Sequence, residues 1–204
     1  QIDPINDAPI IDLISDQQVD EDNILVLTLS AFDVDQDVLS YSALDGDTQL
    51  DVDGDQLTIT PTLNFNGEVN ITVTVTDGEL SDSTSFTLIV NPVNDAPTLD
   101  EIADQSIDED SSLTIDLSAN DIDGDQLYFD ASVDGNASLQ INETSLNIIP
   151  DENYNGTIVI SYSVSDGEYL ISNTFDLVVN PVNDTPVLSS IDDQTIDEDG
   201  SLVV

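Results

Sequence analysis

Pairs of aspartates separated by one residue recur along this chain where a predicted strand ends. Residues 31–35 read Ala-Phe-Asp-Val-Asp, and residues 119–123 read Ala-Asn-Asp-Ile-Asp. In extended backbone the side chains of residues i and i+2 point the same way, so both carboxylates of a pair can approach one ion. Carboxylate oxygens are the ligands that a hard cation such as Ca²⁺ takes in proteins. The pairs therefore predict metal ligands at Asp33, Asp35, Asp121 and Asp123.

No cationic side chain is available to neutralise these acids. The 204 residues include 44 Asp and Glu and no Lys, Arg or His, which gives a formal net charge of −44. Self-repulsion is then relieved only by screening and by bound cations. Nucleic acid and anionic membrane surfaces are excluded as partners, because binding them requires Lys or Arg. A salt-adapted acidic surface would explain the charge, but not the recurrence of acids at fixed offsets.

The acidic motifs recur because the chain is an array of similar modules. The motif Asn-Asp-Ala/Thr-Pro begins at Asn6, Asn94 and Asn183, spaced by 88 and then 89 residues, and Val/Ile-Asp-Glu-Asp recurs alongside it. Such a fixed period marks tandem domains. Both ends fall inside a repeat, so we expect a segment of a longer protein. The predicted domains are repeat 1 (1–92), repeat 2 (93–181) and the truncated start of repeat 3 (182–204).

Strand patterns dominate each repeat. Residues 69–76 alternate Val or Ile with Asn or Thr, and residues 158–164 repeat that alternation. A period of two is typical of a strand with one face in a core and one in water. About seven such runs per repeat, separated by Asp-Gly, Asn-Gly and Pro, predict an all-β fold of seven-stranded sandwiches joined end to end. No apolar run is long enough to span a bilayer, so no membrane insertion is expected.

Other acidic motifs have a turn as the competing explanation. Residues 51–55 read Asp-Val-Asp-Gly-Asp, but residues 140–144, their counterpart in repeat 2, lack this pattern. We interpret residues 51–55 as a hairpin turn, because Gly supplies the positive φ that such turns need. An EF-hand is excluded, since the sixth and twelfth positions counted from Asp121 are not Gly and Glu. Asp77 and Asp166 each precede a turn glycine and are expected to serve both as turn residues and as ligands.

Taken in order, the motifs resemble those of bacterial cadherin-like tandem repeats of giant surface adhesins. A cadherin module carries Glu before its second strand, then Ala-x-Asp-x-Asp, Asp-Arg-Glu, Ala-x-Asp-x-Gly and a linker with Asn-Asp-Asn-Ala-Pro. The first two elements are present, Asp77 and Asp166 match the Asp of the fourth, and the linker at residues 94–97 is one Asn short. Asp-Arg-Glu is absent, and residues 64–66 near its place read Asn-Phe-Asn. The resemblance implies cadherin/immunoglobulin-like sandwiches with Ca²⁺ between successive modules, and the missing element implies fewer ions per junction than in animal cadherins.

The resemblance also implies which residues bind calcium. The full site would be formed by Glu21, Asn94, Asp95, Asp121, Asp123 and Asp166. The lower half of a second site would be formed by Asp7, Asp33, Asp35 and Asp77. The upper half of a third site would be formed by Glu109, Asn183 and Asp184.

These observations predict a calcium-binding structural repeat of an extracellular or cell-surface adhesin or fibre, stiffened by Ca²⁺ at each junction with neighbouring repeats. Two alternatives stay open. One is a self-associating filament or homo-oligomer formed by strand addition through residues 202–204, and the other is a module that binds carbohydrate or another partner. Catalysis is not expected: paired carboxylates could serve a glycosidase, but the acids fall at module ends, where a cleft is not expected.

Overall fold

The computed structural model of the chain describes residues 5–45, 48–190, 193, 195–196, 198–199 and 201. Contacts between Cα atoms divide the chain into two compact units: Gln1–Ala96 with Asp121–Asp125, and Pro97–Asn120 with Gln126–Val204. This division does not decide the predicted repeat limits at 92/93 and 181/182, which stay predictions. The predicted strand addition through residues 202–204 lies outside the described residues.

The described residues of the first unit form nine strands. They are β1 (Ile10–Ile11), β2 (Gln17–Asp20), β3 (Leu25–Thr28), β4 (Ala31–Phe32), β5 (Ser40–Leu44), β6 (Gln49–Asp53), β7 (Gln56–Thr60), β8 (Gly67–Thr76) and β9 (Ser81–Asn91). Seven of them form a four-stranded sheet in the order β2-β9-β8-β5 and a three-stranded sheet in the order β3-β7-β6. The other two, β1 and β4, pair with each other over two residues.

The second unit repeats this arrangement strand for strand. Its strands are β10 (Thr98–Leu99), β11 (Gln105–Asp108), β12 (Leu113–Asp116), β13 (Ala119–Asn120), β14 (Tyr128–Val133), β15 (Ala137–Asn142), β16 (Ser145–Pro150), β17 (Gly156–Ser165) and β18 (Leu170–Asn180). The sheets are β11-β18-β17-β14 and β12-β16-β15, with β10 paired to β13. All pairs are antiparallel except β2 with β9 and β11 with β18. The predicted all-β fold with seven-stranded sandwiches is confirmed.

A separate apolar core lies between the two sheets of each unit. In the first unit, Leu57 and Ile59 of β7 face Ile71 and Val73 of β8, and none of these four side chains is exposed. In the second unit, the corresponding strands β16 and β17 supply the core in the same way. The alternation predicted for residues 69–76 and 158–164 is therefore the alternation of buried and outward-facing positions. In the described part of the chain no helix has the length and apolarity needed to cross a membrane.

A tight aromatic turn begins the long hairpin of each unit and explains its glycine. Gly156 has φ of +145°, and a Cβ there would lie 2.8 Å from Tyr154 Oη, whose hydroxyl donates to Thr157 O. A side chain at this position meets both an unfavourable backbone conformation and a steric contact.

We expect Gly156→Ala to lower the free energy of unfolding of the second unit by about 1–3 kcal/mol. Denaturant unfolding monitored by tyrosine fluorescence measures this change. Gly54→Ala is the matched control, because Gly54 also has positive φ, +63°, but a Cβ at that position would have no neighbouring atom within 4 Å. Equal losses for the two variants would show that backbone strain alone, and not the contact with Tyr154, accounts for the effect.

Candidate metal centres

Two groups of three aspartates meet the geometry of a cation site. The first triad is Asp33, Asp35 and Asp37, and the second triad is Asp121, Asp123 and Asp125. Within each triad, one carboxylate oxygen from each residue lies within 4.8 Å of the others. The first triad follows directly after β4 and the second directly after β13. Three carboxylates drawn this close repel one another, so an ion among them relieves a cost as well as gaining ligands.

The first aspartate of each triad shapes the loop that carries the other two. Asp33 Oδ1 accepts hydrogen bonds from the backbone N–H groups of Asp35, at 2.8 Å, and Asp37, at 3.2 Å. Asp121 Oδ1 accepts the equivalent bonds from Asp123, at 3.0 Å, and Asp125, at 3.2 Å. The loop thus curls around one carboxylate, as Asx turns do. This curl, rather than extended backbone, turns the second and third carboxylates toward the first.

Three carboxylate oxygens in or beside these loops are buried and accept no hydrogen bond from any described residue. They are Asp33 Oδ2, Asp95 Oδ2 and Asp121 Oδ2. Asp33 is the most enclosed of the three residues, with 5% of its surface exposed. A buried charged oxygen without a partner is strongly unfavourable. A bound metal ion fits these oxygens, because the chain has no cationic side chain to pair with them and no N–H or O–H donor of the described residues reaches them.

The Asn-Asp-Ala-Pro motif at residues 6–9 joins the first triad. The side-chain amide of Asn6 donates to Asp77 Oδ2 at 2.9 Å, and the backbone N–H of Asp7 donates to Asp35 Oδ2 at 2.8 Å. Backbone N–H groups of Leu80 and Glu79, followed by the Asn6 amide, lower the pKa of Asp77. An open cleft of about 610 Å³ lies here, lined by Ile5, Asn6, Asp35, Asp37, Asp77 and Glu79. The structure thus brings together the four residues of the predicted lower half-site, Asp7, Asp33, Asp35 and Asp77, and adds Asn6 to them; their role as ligands stays a prediction.

The motif at residues 94–97 makes the same contact with the second triad. The backbone N–H of Asp95 donates to Asp123 Oδ2 at 2.8 Å, repeating the bond between Asp7 and Asp35. Burial raises the pKa of the Asp95 carboxyl, and repulsion from Asp123 raises it further, followed by that from Asp22, Glu21 and Asp121. The neighbouring carboxylates thus disfavour the charged form of Asp95, and a cation beside it would offset this repulsion.

Glu21 and Glu109 are members of neither triad, and both carboxylate oxygens of each accept a hydrogen bond from an N–H donor. Glu21, 2% exposed, accepts from Val93 N at 2.6 Å and from the Asn66 amide at 3.4 Å. Glu109 accepts from Val182 N at 2.5 Å and from the Asn155 amide at 3.4 Å. Their prediction as ligands is neither supported nor excluded by the triads.

The remaining predicted residues belong to neither triad. Asp166 Oδ1 accepts from the backbone N–H groups of Glu168, at 2.7 Å, and Tyr169, at 2.6 Å, so it organises a turn as Asp77 does. Asn183 and Asp184 are exposed, and the Asn183 amide donates to Asp184 O at 3.0 Å. Residues 51–55 form the β6–β7 hairpin, with Gly54 at φ +63°, so the predicted turn is confirmed there.

Sequence reasoning missed Asp37 and Asp125, the third member of each triad. The signal was present, because residues 33–37 and 121–125 both read Asp-x-Asp-x-Asp. Extended backbone would have carried the third carboxylate away from the first. The structure bends the loop at its fourth position instead, where Gln36 has φ +65° and Gly124 has φ +79°.

Sandwiches of this topology, each with an acid triad, identify the chain as a pair of all-β sandwich domains. Residues 93–180 match the family model of the cadherin-like domain, and residues 6–90 match that of the bacterial Ig domain. These matches confirm the predicted resemblance to bacterial cadherin-like tandem repeats, with residues 93–180 similar to a cadherin-like domain and residues 6–90 similar to a bacterial Ig domain. Domains of these two families are typically extracellular and typically non-catalytic.

Two solved structures share the fold of this chain, and one curated protein is similar to it in sequence. Human protocadherin-24 EC1-2 (Form II) superposes with a TM-score of 0.53 at 13% identity, covering 84% of this chain and 98% of that chain. Human mucin-like protocadherin EC1-2 gives a TM-score of 0.52 at 17% identity, covering 85% and 98%. Chitinase A of Pseudoalteromonas piscicida is 28% identical over 187 residues, or 85% of this chain. The chain spans only 22% of the length of that chitinase.

Proposed function

We propose that this chain is a calcium-binding structural segment of an extracellular adhesin or fibre. The observation that carries the proposal is the set of buried carboxylate oxygens without hydrogen-bond donors at Asp33, Asp95 and Asp121. Ca²⁺ takes six to eight oxygen ligands in flexible geometry, and Asp triads of this kind supply several of them. An Asp triad with the same spacing occurs in both repeats, which favours a role that each repeat performs in the same way.

The ion would act as a brace on the segment between repeats. Asp95 belongs to the Pro-bounded segment at the start of repeat 2, whereas Asp121, Asp123 and Asp125 follow a strand about 25 residues later. A cation held by both groups would restrain the segment, and Asp166 is proposed as a further ligand. Without the cation, carboxylates near Asp95 repel each other and the segment loses its restraint. The equivalent brace before repeat 1 would use Asp7, Asp33, Asp35, Asp37 and Asp77.

Calorimetric titration of Ca²⁺ into chelated protein tests the binding. We expect saturable binding with a Kd of about 10⁻⁴ to 10⁻³ M, the range of extracellular calcium modules. Mg²⁺ is the matched control ion, because it demands a tight octahedral shell and keeps its water. Equal, unsaturable heats for both ions would mean that the charge of −44 merely attracts a diffuse ion atmosphere.

Small-angle scattering tests the mechanical half of the proposal. We expect the distribution of interatomic distances to narrow, and its upper limit to be better defined, when Ca²⁺ is added to chelated protein. Denser ion atmospheres also change scattering, so the comparison is made at equal ionic strength. Identical distributions with and without Ca²⁺ would contradict bracing even if calorimetry showed binding.

Carbohydrate contact is a second candidate, favoured by aromatic exposure in the second unit. Tyr128 is 58% exposed and Leu170 67% exposed, and both lie opposite Ser165 on adjacent strands. The similarity to a chitinase gives chitin as the polymer to try. Co-sedimentation with insoluble chitin, compared between the native chain and Tyr128→Ser, tests it. Binding that is absent, or unchanged in the variant, would dismiss this candidate.

A further inference from the structure

The Asp-Glu-Asp motif at the end of β2, residues 20–22, forms hydrogen bonds with other residues of its own unit. Asp20 Oδ1 accepts from the Asn91 amide at 3.1 Å, and Asp22 Oδ1 accepts from Asn64 N at 2.9 Å. Between them, the backbone N–H of Glu21 donates to Asn91 O at 2.9 Å. The motif therefore joins three parts of one unit: the end of β2, the end of β9 and the turn at residues 64–67.

The side chain of Glu21 completes this junction from a buried position. Its Oε1 receives the backbone N–H of Val93, and its Oε2 faces the Asn66 amide. At 2% exposure the carboxylate has lost its water, so these donors are what stabilise its charge. Val93 lies just beyond β9, where the ladder hydrogen bonds of the sheet have ended. Glu21 thus supplies the partner that this N–H would otherwise lack.

The second unit reproduces the junction with a different set of residues. The Glu109 carboxylate accepts hydrogen bonds from Val182 N and from the Asn155 amide. The backbone N–H of Glu109 donates to Asn180 O at 2.9 Å. Asp110 Oδ1 accepts from Asn153 N at 3.0 Å. Both junctions place an Asn, not an acid, opposite the buried glutamate. An amide donates to the carboxylate, whereas an aspartate there would repel it.

We propose that Glu21 and Glu109 are hydrogen-bond latches that fix the exit of each repeat without metal, and that they are not calcium ligands. Asn66 and Asn155 are the donors that keep each latch closed. Because Asp95 follows Val93 by two residues, the Glu21 latch also positions Asp95 beside the second triad. The positioning of Asp95 for calcium rests on the proposed function, whereas the latch itself does not.

The latch is tested first in chelator, by hydrogen exchange of backbone amides in ¹⁵N-labelled protein. We expect exchange at Val93 to accelerate about tenfold or more in Glu21→Ala, since a hydrogen bond to a charged group is lost. Glu21→Gln, which keeps an acceptor oxygen, should stay within about threefold of the native rate. Glu68→Ala is the control, because Glu68 is an exposed glutamate of β8 in the same unit. Native-like exchange at Val93 in Glu21→Ala would overturn the latch.

Asn66→Asp provides a second route should Glu21→Ala fail to fold. It replaces the donating amide with a charged acceptor of the same length, and we expect it to accelerate exchange at Val93 as Glu21→Ala does. Unchanged exchange at Val93 in a folded Asn66→Asp protein would overturn the role of Asn66 as the donor.

Calcium affinity then separates a latch from a ligand. A latch predicts that Glu21→Gln binds Ca²⁺ within about threefold of the native chain, whereas Glu21→Ala binds more weakly because Asp95 is displaced. A ligand predicts that Glu21→Gln weakens binding as much as Glu21→Ala does, and that result would overturn the proposal. If the native chain binds no Ca²⁺, the proposed function fails, and the exchange experiment still decides the latch.

Discussion

Asp121→Asn/Asp123→Asn protein is expected to bind Ca²⁺ at the second triad about a hundredfold more weakly than the native chain. Two of the three carboxylates that lie within 4.8 Å of one another lose their charge, and calcium affinity follows the number of charged ligands. Calorimetric titration measures the change, with the first triad left intact in the same molecule as an internal reference.

The same double variant should have the opposite effect on stability in chelator. Without an ion, like charges within 4.8 Å of one another cost roughly 1 kcal/mol in a watery environment, so neutralising them is expected to stabilise the calcium-free chain by about that amount. Denaturant unfolding in chelator and in saturating Ca²⁺ shows whether the sign of the change reverses. A loss of stability in both conditions would mean that the carboxylates matter for the loop itself and not for an ion.

Asp51→Asn/Asp53→Asn is the matched control for both measurements. These aspartates have the same spacing and charge, but they lie in β6 and belong to no described triad. The control is expected to leave calcium affinity within about twofold of native, since remote surface charges are largely screened. A loss of affinity equal to that of the triad variant would indicate a general effect of net charge.

Tyr162→Ala is expected to unfold the second unit selectively. Tyr162 is 1% exposed and packs edge-on against Phe175, with ring centroids 5.9 Å apart. Its hydroxyl donates to Asp100 O at 3.1 Å and accepts from Ile102 N at 2.9 Å. Removing a buried aromatic side chain costs about 3–5 kcal/mol, much of the roughly 5–15 kcal/mol that stabilises a domain.

Tyr162→Phe divides this loss into its packing and hydrogen-bond parts. It keeps the ring but leaves two backbone groups without their partner, which costs about 1–3 kcal/mol. Thermal unfolding followed by NMR distinguishes the units, because resonances of the first unit, whose core holds Val73 at this position, should persist. Simultaneous loss of both sets of resonances in Tyr162→Ala would show that the two units do not unfold independently.

The strands could be predicted from sequence because their signal is local. Val69, Ile71, Val73 and Val75 alternate with polar residues, and this pattern alone decides which face of β8 enters the core. The pairing of β2 with the distant strand β9, and its parallel direction, carries no comparable local signal. The acid pairs were found for the same reason that the strands were, since their members are two residues apart.

What could not be predicted depends on contacts between residues far apart in sequence. The donor that faces Glu21 comes from Asn66, 45 residues later, and the other from Val93, 72 residues later. Because these donors are remote in sequence, the sequence around Glu21 does not distinguish a hydrogen-bonded glutamate from a metal ligand. Asp37 and Asp125 were missed for a different reason: a loop that bends at a positive-φ residue breaks the two-residue rule that identified their neighbours.

The two repeats hold their first strand, or the segment just after it, by different side chains, and we expect this difference to disfavour misfolding between them. In repeat 1, Asp82 Oδ2 accepts the N–H of Ile11 at 3.1 Å, whereas repeat 2 uses the hydroxyl of Tyr162. Each repeat has an apolar residue where the other has its fastener, Val73 in place of Tyr162 and Ile171 in place of Asp82. A long hairpin exchanged between the two sandwiches during folding would thus leave backbone groups without partners in both. The two repeats therefore share one topology, while the different positions of Asp82 and Tyr162 disfavour a domain-swapped form in which the hairpins are exchanged.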